Sequence, residues 1–216
     1  MKTKGLFDVI SPIMIGPSSS HTAGAIRLGL MARTIHNAPI KKVCFTLYNS
    51  FAQTGKGHGT DKGLLAGIMG FHVDDVRTKN IFSITDIEYE FHFAEDLSRH
   101  PNSVDIKIND DMMISGCSIG AGEIRITEIN GFSVNLAGQY HTILLMYKDK
   151  PGMISTVSKF VQDRDINIAS LHCDRNEKGG VASMYLALDA EPQEEIVDDI
   201  KNINDVYFVT KVRKLD

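Results

Sequence analysis

Tyr140-His141-Thr142-Ile143-Leu144-Leu145-Met146-Tyr147, then Asp149-Lys150-Pro151-Gly152, then Ile154-Ser155-Thr156-Val157-Ser158-Lys159-Phe160-Val161-Gln162 follow one another in the last third of the chain. The first run reads as an apolar strand, the second as a Pro-Gly turn, and the third carries helical spacing. Further on, residues 166–173 predict a strand, 176–180 a hairpin turn, 181–188 a strand, 193–201 a helix and 206–211 a last strand. The order βαββαβ is that of the ferredoxin-like split unit. A domain over residues 140–216 follows.

Working back from it, residues 135–140 contain Ala137-Gly138 and read as a linker. Residues 1–136 then form a first domain. Residues 87–93, 104–109, 112–115 and 123–129 are short alternating strands, and residues 41–48 set Val43, Phe45 and Leu47 on one face. Residues 115–122 read as a Gly/Ser connection and 131–133 as a turn. Residues 21–37 and 63–70 predict helices, the first stopped by Asn37-Ala38-Pro39. Residues 6–10 are expected to pack beneath a serine-rich loop. The class is α+β.

That loop is Gly16-Pro17-Ser18-Ser19-Ser20-His21-Thr22-Ala23-Gly24. Glycine and proline set its path, Ser19 or Ser20 is expected to cap the following helix, and free amides at a helix start favour an anion. An imidazole at such a mouth is placed to move a proton. A second loop, Thr54-Gly55-Lys56-Gly57-His58-Gly59-Thr60-Asp61, precedes another helix, with Thr60 or Asp61 as its cap. Together the two loops spend more polar groups than caps require. Neither a P-loop nor a dinucleotide fingerprint fits the glycine spacing. A Ser–His–Asp hydrolase has no Gly-x-Ser-x-Gly elbow here, and Lys56 has no phosphate cup around it for pyridoxal phosphate. His100-Pro101-Asn102 reads as a tight polar turn. The remaining histidines have no supporting cluster, and the spacing of His21, His58 and His100 does not warrant a zinc site.

The 216 residues carry 23 basic and 27 acidic side chains, a net charge of -4, which leaves no nucleic-acid footprint. No segment has the length of a transmembrane helix, and the first 15 residues lack the pattern of a signal peptide. The three cysteines, Cys44, Cys117 and Cys173, are widely separated and predict neither disulfides nor a metal site within this chain. The cytoplasm is the expected compartment.

Ser11-Pro12 with the Gly16–Gly24 loop, the Thr54–Asp61 loop and His100-Pro101-Asn102 resemble the beta chain of bacterial iron–sulfur-dependent L-serine dehydratase (L-serine ammonia-lyase). The tail, with Asp149-Lys150-Pro151-Gly152 and Asp165-Ile166-Asn167-Ile168, resembles an ACT domain, a small-ligand regulatory module. The resemblance implies a phosphoglycerate-dehydrogenase-like substrate-binding domain followed by the ACT domain. It implies a lyase that converts L-serine to pyruvate and ammonia, with a 4Fe-4S cluster ligated by a partner alpha chain and not by this one. His21 and His58 are then the candidates for proton transfer, with either able to be the base. Ser18, Ser19, Ser20, Thr22, Lys56, Thr60 and Asp61 would bind substrate, and Asp61 would orient an imidazole. His100 and Asn102 would belong to a serine-binding regulatory loop, as would Pro151, Gly152 and Asn167 to the ACT ligand site. A homodimer contact through residues 140–216 is also implied. The alternative of another class is a non-catalytic amino-acid sensor.

Overall fold

The computed structural model describes Met14, residues 16–55 and residues 57–215. Lys56 and the 6–10 segment lie outside the described residues. The chain divides into two compact units, with the division falling around residues 132–137.

The first unit begins with a π-helical turn, Ser19–Ala23, which runs into α1, Gly24–His36. The cap is Ser18, not Ser19 or Ser20, because its hydroxyl accepts the His21 amide at 3.1 Å. Asn37 ends α1 in the left-handed region, with φ of 49°, and its amide donates to Arg33 O at 3.0 Å. Strand β1, Lys42–Tyr48, buries Val43, Phe45 and Leu47 as the alternation predicts. Next come α2, Asn49–Thr54, and α3, Thr60–Ile68. A short 3-10 segment, Val76–Asn80, leads into α4, Ile81–Ile84. Then follow β2, Glu88–Ala94, β3, Ser103–Ile108, and β4, Met112–Gly120. Strands β5, Glu123–Ile129, and β6, Phe132–Leu136, complete the sheet.

The sheet order is β2-β1-β3-β4-β5-β6. β1 and β2 are parallel, while β1–β3, β3–β4 and β4–β5 are antiparallel. The register sets Val43 opposite Ile108, Phe45 opposite Ile106 and Leu47 opposite Val104, so one face is a continuous apolar surface. Two expectations fail here. Residues 115–122 are mostly strand, because Gly116 is needed within β4: a Cβ there would meet Leu28 Cδ2 of α1 at 2.9 Å. Residues 132–133 belong to β6, the reversal having been made at Asn130 and Gly131, both with positive φ.

α1 and α3 cross backbone to backbone. A Cβ on Gly67 would meet Ile26 O at 2.1 Å, and one on Gly29 would meet Leu64 O at 2.3 Å. No side chain fits between these helices at that point. α3 is buried from Thr60 to Ile68 apart from half-buried Lys62. The crossing brings the segments before α1 and α3 together, which positions the two histidine loops.

The second unit has β7, His141–Lys148, α5, Met153–Gln162, and β8, Ile168–Arg175, then β9, Val181–Leu188, α6, Glu194–Lys201, and β10, Val206–Val212. The order is βαββαβ, with strands arranged β10-β7-β9-β8 and all pairs antiparallel. This is the predicted ferredoxin-like arrangement. Its core joins Ile143, Leu145, Met184 and Leu186 to Val157 and Val161 of α5 and Ile196 and Ile200 of α6.

Candidate functional site

His21 stands in the π-turn with a hydroxyl at each ring nitrogen. Ser18 Oγ lies 3.2 Å from Nδ1, and Ser50 Oγ lies 3.2 Å from Nε2. The Phe51 ring packs against it at a centroid distance of 5.6 Å. The His58 ring meets it edge-on at 5.1 Å. The two histidines that stand 37 positions apart in the chain are therefore neighbours, one half-buried and one exposed. Burial lowers the His21 pKa below the ordinary imidazole value, and the charge of His58 adds to the shift. The ring is thus neutral near pH 7, as a proton acceptor must be.

Thr22 ties the loops together. Its Oγ1, on a buried side chain, donates to His58 O at 2.7 Å. Gly59 caps α3 with φ of 72°, a conformation that glycine adopts without strain, and it lets the chain turn straight from His58 into the helix. Neither Thr60 nor Asp61 is the cap. Thr60 is fully buried, and its Oγ1 has no hydrogen-bond partner among the described residues. Asp61 is buried, and its Oδ1 accepts the Lys62 amide at 2.7 Å. Ser19 and Ser20 are half-buried, and Ser19 O accepts the Gly24 amide.

Ser50 was not among the residues singled out from the sequence. It sits one residue past Asn49, which follows β1 with φ of 50°. Asn tolerates that conformation, so the signal was a polar Asn-Ser pair at the end of a buried strand. Ser118 was missed too. It is fully buried, its Oγ has no partner among the described residues, and a Cβ on Gly24 would meet it at 2.2 Å.

The 100–102 loop reaches the same elements. Pro101 O accepts the Phe51 amide at 3.4 Å, and Asn102 O accepts the Ser118 amide at 3.0 Å. His100 is exposed, and its Nδ1 accepts the Asn102 amide at 3.2 Å. The backbone of this loop therefore braces Phe51, which packs on His21.

In the second unit a cavity of about 750 Å³ lies at the turn between β7 and α5, lined by Lys150, Pro151, Gly152, Cys173 and Arg175 among others. Asp149 on its wall is held below the usual carboxylate range by the Gly179 amide and by Arg175. Burial, with Cys173 beside it, pushes the Tyr147 phenol up to about 12. Asn167 lies outside that lining and donates to Asp189 Oδ2 at 2.7 Å.

Cys44 is half-buried on β1, Cys117 buried on β4 and Cys173 exposed on β8. The one group of three or more potential metal ligands among the described residues is Cys44, Glu90 and His92, with a single cysteine. That donor set does not suit an iron–sulfur cluster. No helix among the described residues is long and apolar enough to cross a membrane.

Residues 5–114 match the serine dehydratase beta chain family, and residues 143–208 match the ACT domain of the small-subunit type found in AHAS. The chain is 37% identical over 98% of its length to a probable L-serine dehydratase, beta chain, of Bacillus subtilis, and covers 99% of that protein. It is 38% identical over 91% of its length to the L-serine dehydratase beta chain of Peptoniphilus asaccharolyticus, and covers 92% of it. It is also similar to the D-3-phosphoglycerate dehydrogenase of Bacillus subtilis, at 26% identity over 85% of this chain and 36% of that one. With the two histidine loops inside the matched segment and full-length relatives on both counts, the chain belongs to the serine dehydratase beta-chain family.

Proposed function

We propose that the chain is the beta subunit of an L-serine dehydratase, supplying half of an active site completed by an alpha chain. The observation that carries this reading is His21 set between two serine hydroxyls and edge-on to His58, inside the segment that matches the family. The family match favours this over a free-standing amino-acid sensor.

Deamination of serine requires loss of the α-proton and of the β-hydroxyl. The resulting enamine tautomerises, and its imine is hydrolysed to pyruvate and ammonia. This chain's residues supply binding, orientation and proton transfer. His21 is the proposed base, since its lowered pKa keeps an acceptor lone pair at neutral pH. A positioned base of this kind contributes ~100- to 10,000-fold. His58, exposed beside it, is the proposed acid toward the departing hydroxyl.

The geometry divides the hydroxyls. Those of Ser18 and Thr22 are committed to His21 and to His58 O, so they orient the histidines. Ser19 and Ser20 are the proposed donors to the substrate carboxylate, with Lys56 and Thr60 completing the site. Asp61 steadies the start of α3 through the Lys62 amide. His100 and Asn102 are proposed as part of a regulatory serine site that acts through Phe51. Pro151 and Gly152 are proposed to line an ACT ligand site, and Asn167 to steady it through Asp189. The 4Fe-4S cluster implied by the resemblance belongs in this reading to the alpha chain, since the cysteines here do not gather. Pairing of two copies through the ACT unit, and residence in the cytoplasm, complete the proposal.

The test is anaerobic co-expression with the alpha chain, assayed for pyruvate from L-serine and from L-threonine. Serine-dependent pyruvate, lost in His21→Ala and His58→Ala with the assembly intact, is the expected result. Near-wild-type turnover in both variants would overturn the proposed roles.

A further inference from the structure

The first sheet has a second face, turned away from the core and from the histidine pair. On β1, Val43, Phe45 and Leu47 point into the core, so Cys44 points the other way and is half-buried. The parallel register with β2 sets Glu90 opposite Cys44 and His92 opposite Thr46. Glu90 and His92 stand two residues apart on one strand and therefore share that outer face, where both are exposed. The thiol, a Glu90 oxygen and a His92 ring nitrogen all lie within 4.8 Å of one another. His92 Nε2 is 3.6 Å from Glu90 Oε2.

Those separations are close to what one small ion imposes. A tetrahedral zinc with ordinary bond lengths sets its ligand atoms about 3.3 to 3.7 Å apart. The two β2 side chains are already at that spacing, and small rotations of exposed side chains close the rest. A sulfur, an imidazole nitrogen and one carboxylate suit zinc and not the hard cations that take oxygen alone. Paired strands hold the three carriers, a more rigid base than a loop.

The neighbouring cations do not fill the place. Lys42 Nζ lies 3.6 Å from Glu88 Oε1 and 4.0 Å from Glu90 Oε1, so it keeps a carboxylate partner when Glu90 turns to a metal. Lys107, opposite Cys44 on β3, pairs with Asp110 at 2.7 Å. No spacing in the sequence marks the set, because its members come from two strands brought together only by their register.

We propose that Cys44, Glu90 and His92 form a zinc-binding site on the outer face of the first sheet, with water in the fourth position. As the zinc–sulfur bond forms, the thiol proton passes to solvent, while Glu90 and neutral His92 each bring a lone pair. Thiolate and carboxylate together balance the two charges of the ion. β2 is the edge of the sheet, so the metal ties that edge to its neighbour β1. The site stands apart from the lyase reading and does not depend on it.

The test uses the full chain, reduced and stripped with a chelator, then titrated with zinc against a chromophoric competitor and, separately, with cobalt(II). One equivalent of zinc should bind at micromolar or lower concentration, and its addition should raise the unfolding temperature. Cobalt should give a thiolate charge-transfer band. Cys44→Ser should abolish that band and weaken zinc binding at least ~100-fold, beyond the ~10- to 100-fold typical of losing an outer partner. His92→Gln and Glu90→Gln should weaken zinc binding as well, whereas Cys173→Ser and His21→Ala should leave the band in place. Should Cys44→Ser fold poorly, His92→Gln, at an exposed position, carries the same comparison. Zinc bound only at millimolar concentration, a cobalt spectrum without the thiolate band, or a band that survives in Cys44→Ser overturns the proposal.

Discussion

The two units pack their helices by opposite means. In the second, α5 and α6 press Val157, Val161, Ile196 and Ile200 onto the sheet, each an apolar stripe on an otherwise polar helix. In the first, α1 and α3 touch backbone to backbone at Gly29 and Gly67, and α3 is buried on nearly every side. The first arrangement fixes where two loops lie to within a side chain's breadth, because no flexible group separates the helices. The second leaves the helices cushioned by side chains that can repack. The proposed chemistry sits on the rigid crossing, as a pair of rings at 5.1 Å requires.

The cushioned side is the place for the largest stability effect from a single truncation. Ile200→Ala should destabilise the chain by about 2–5 kcal/mol in urea unfolding, since Ile200 is fully buried and its site cannot fully collapse. On the rigid side, Gly67→Ala should cost about 1–3 kcal/mol or more, because the added methyl meets the Ile26 carbonyl. It should also lower turnover beyond what the unfolded fraction explains, by moving His58 away from His21. A harmless Gly67→Ala would erase the contrast between the units. Ser18→Ala should cost about 1 kcal/mol through the lost cap, while Gln193→Ala at the start of α6 should be nearly neutral, its side chain making no capping bond.

The smallest effect concerns pH. His21 titrates below the ordinary imidazole value, chiefly through burial and then through His58. An NMR titration of His21 should give a midpoint below the ordinary imidazole value, and His58→Gln should move it upward. The sign for stability is the same. The folded-state pKa is depressed, so the stability of the neutral ring is full above the ordinary imidazole range and is lost as pH falls through the lowered value. A His21 midpoint unmoved by His58→Gln would leave burial as the sole cause.

The contrast in packing also explains what could be read from residues alone. Amphipathic α5 and α6 announce themselves by period, and the Pro151-Gly152 turn and the 176–180 hairpin mark the boundaries, so the second unit was legible throughout. α3 carries no stripe, being buried all round, and its partner face is glycine, which has no side chain to reveal the contact. β4 was half missed because Gly116 and its serine neighbours look like a turn until Leu28 is seen to need the space. Among the site residues, His21 and His58 stood out for the density of polar groups around them. Ser50 did not, because the one local signal, an Asn-Ser pair past a buried strand, is shared with many ordinary strand ends.

The sequence by itself determined the βαββαβ order of the second unit and the two histidine loops. Those features are written in local periodicity, turn chemistry and spacing, which need no knowledge of distant neighbours. Only the tertiary structure decided that the loops meet, that Ser18 rather than Ser19 or Ser20 caps the turn, and that Ser50 completes the shell of His21. Each of these depends on where α1 and α3 cross. That crossing is set by the space two glycines leave empty, a quantity that exists only once the partner helix is in place.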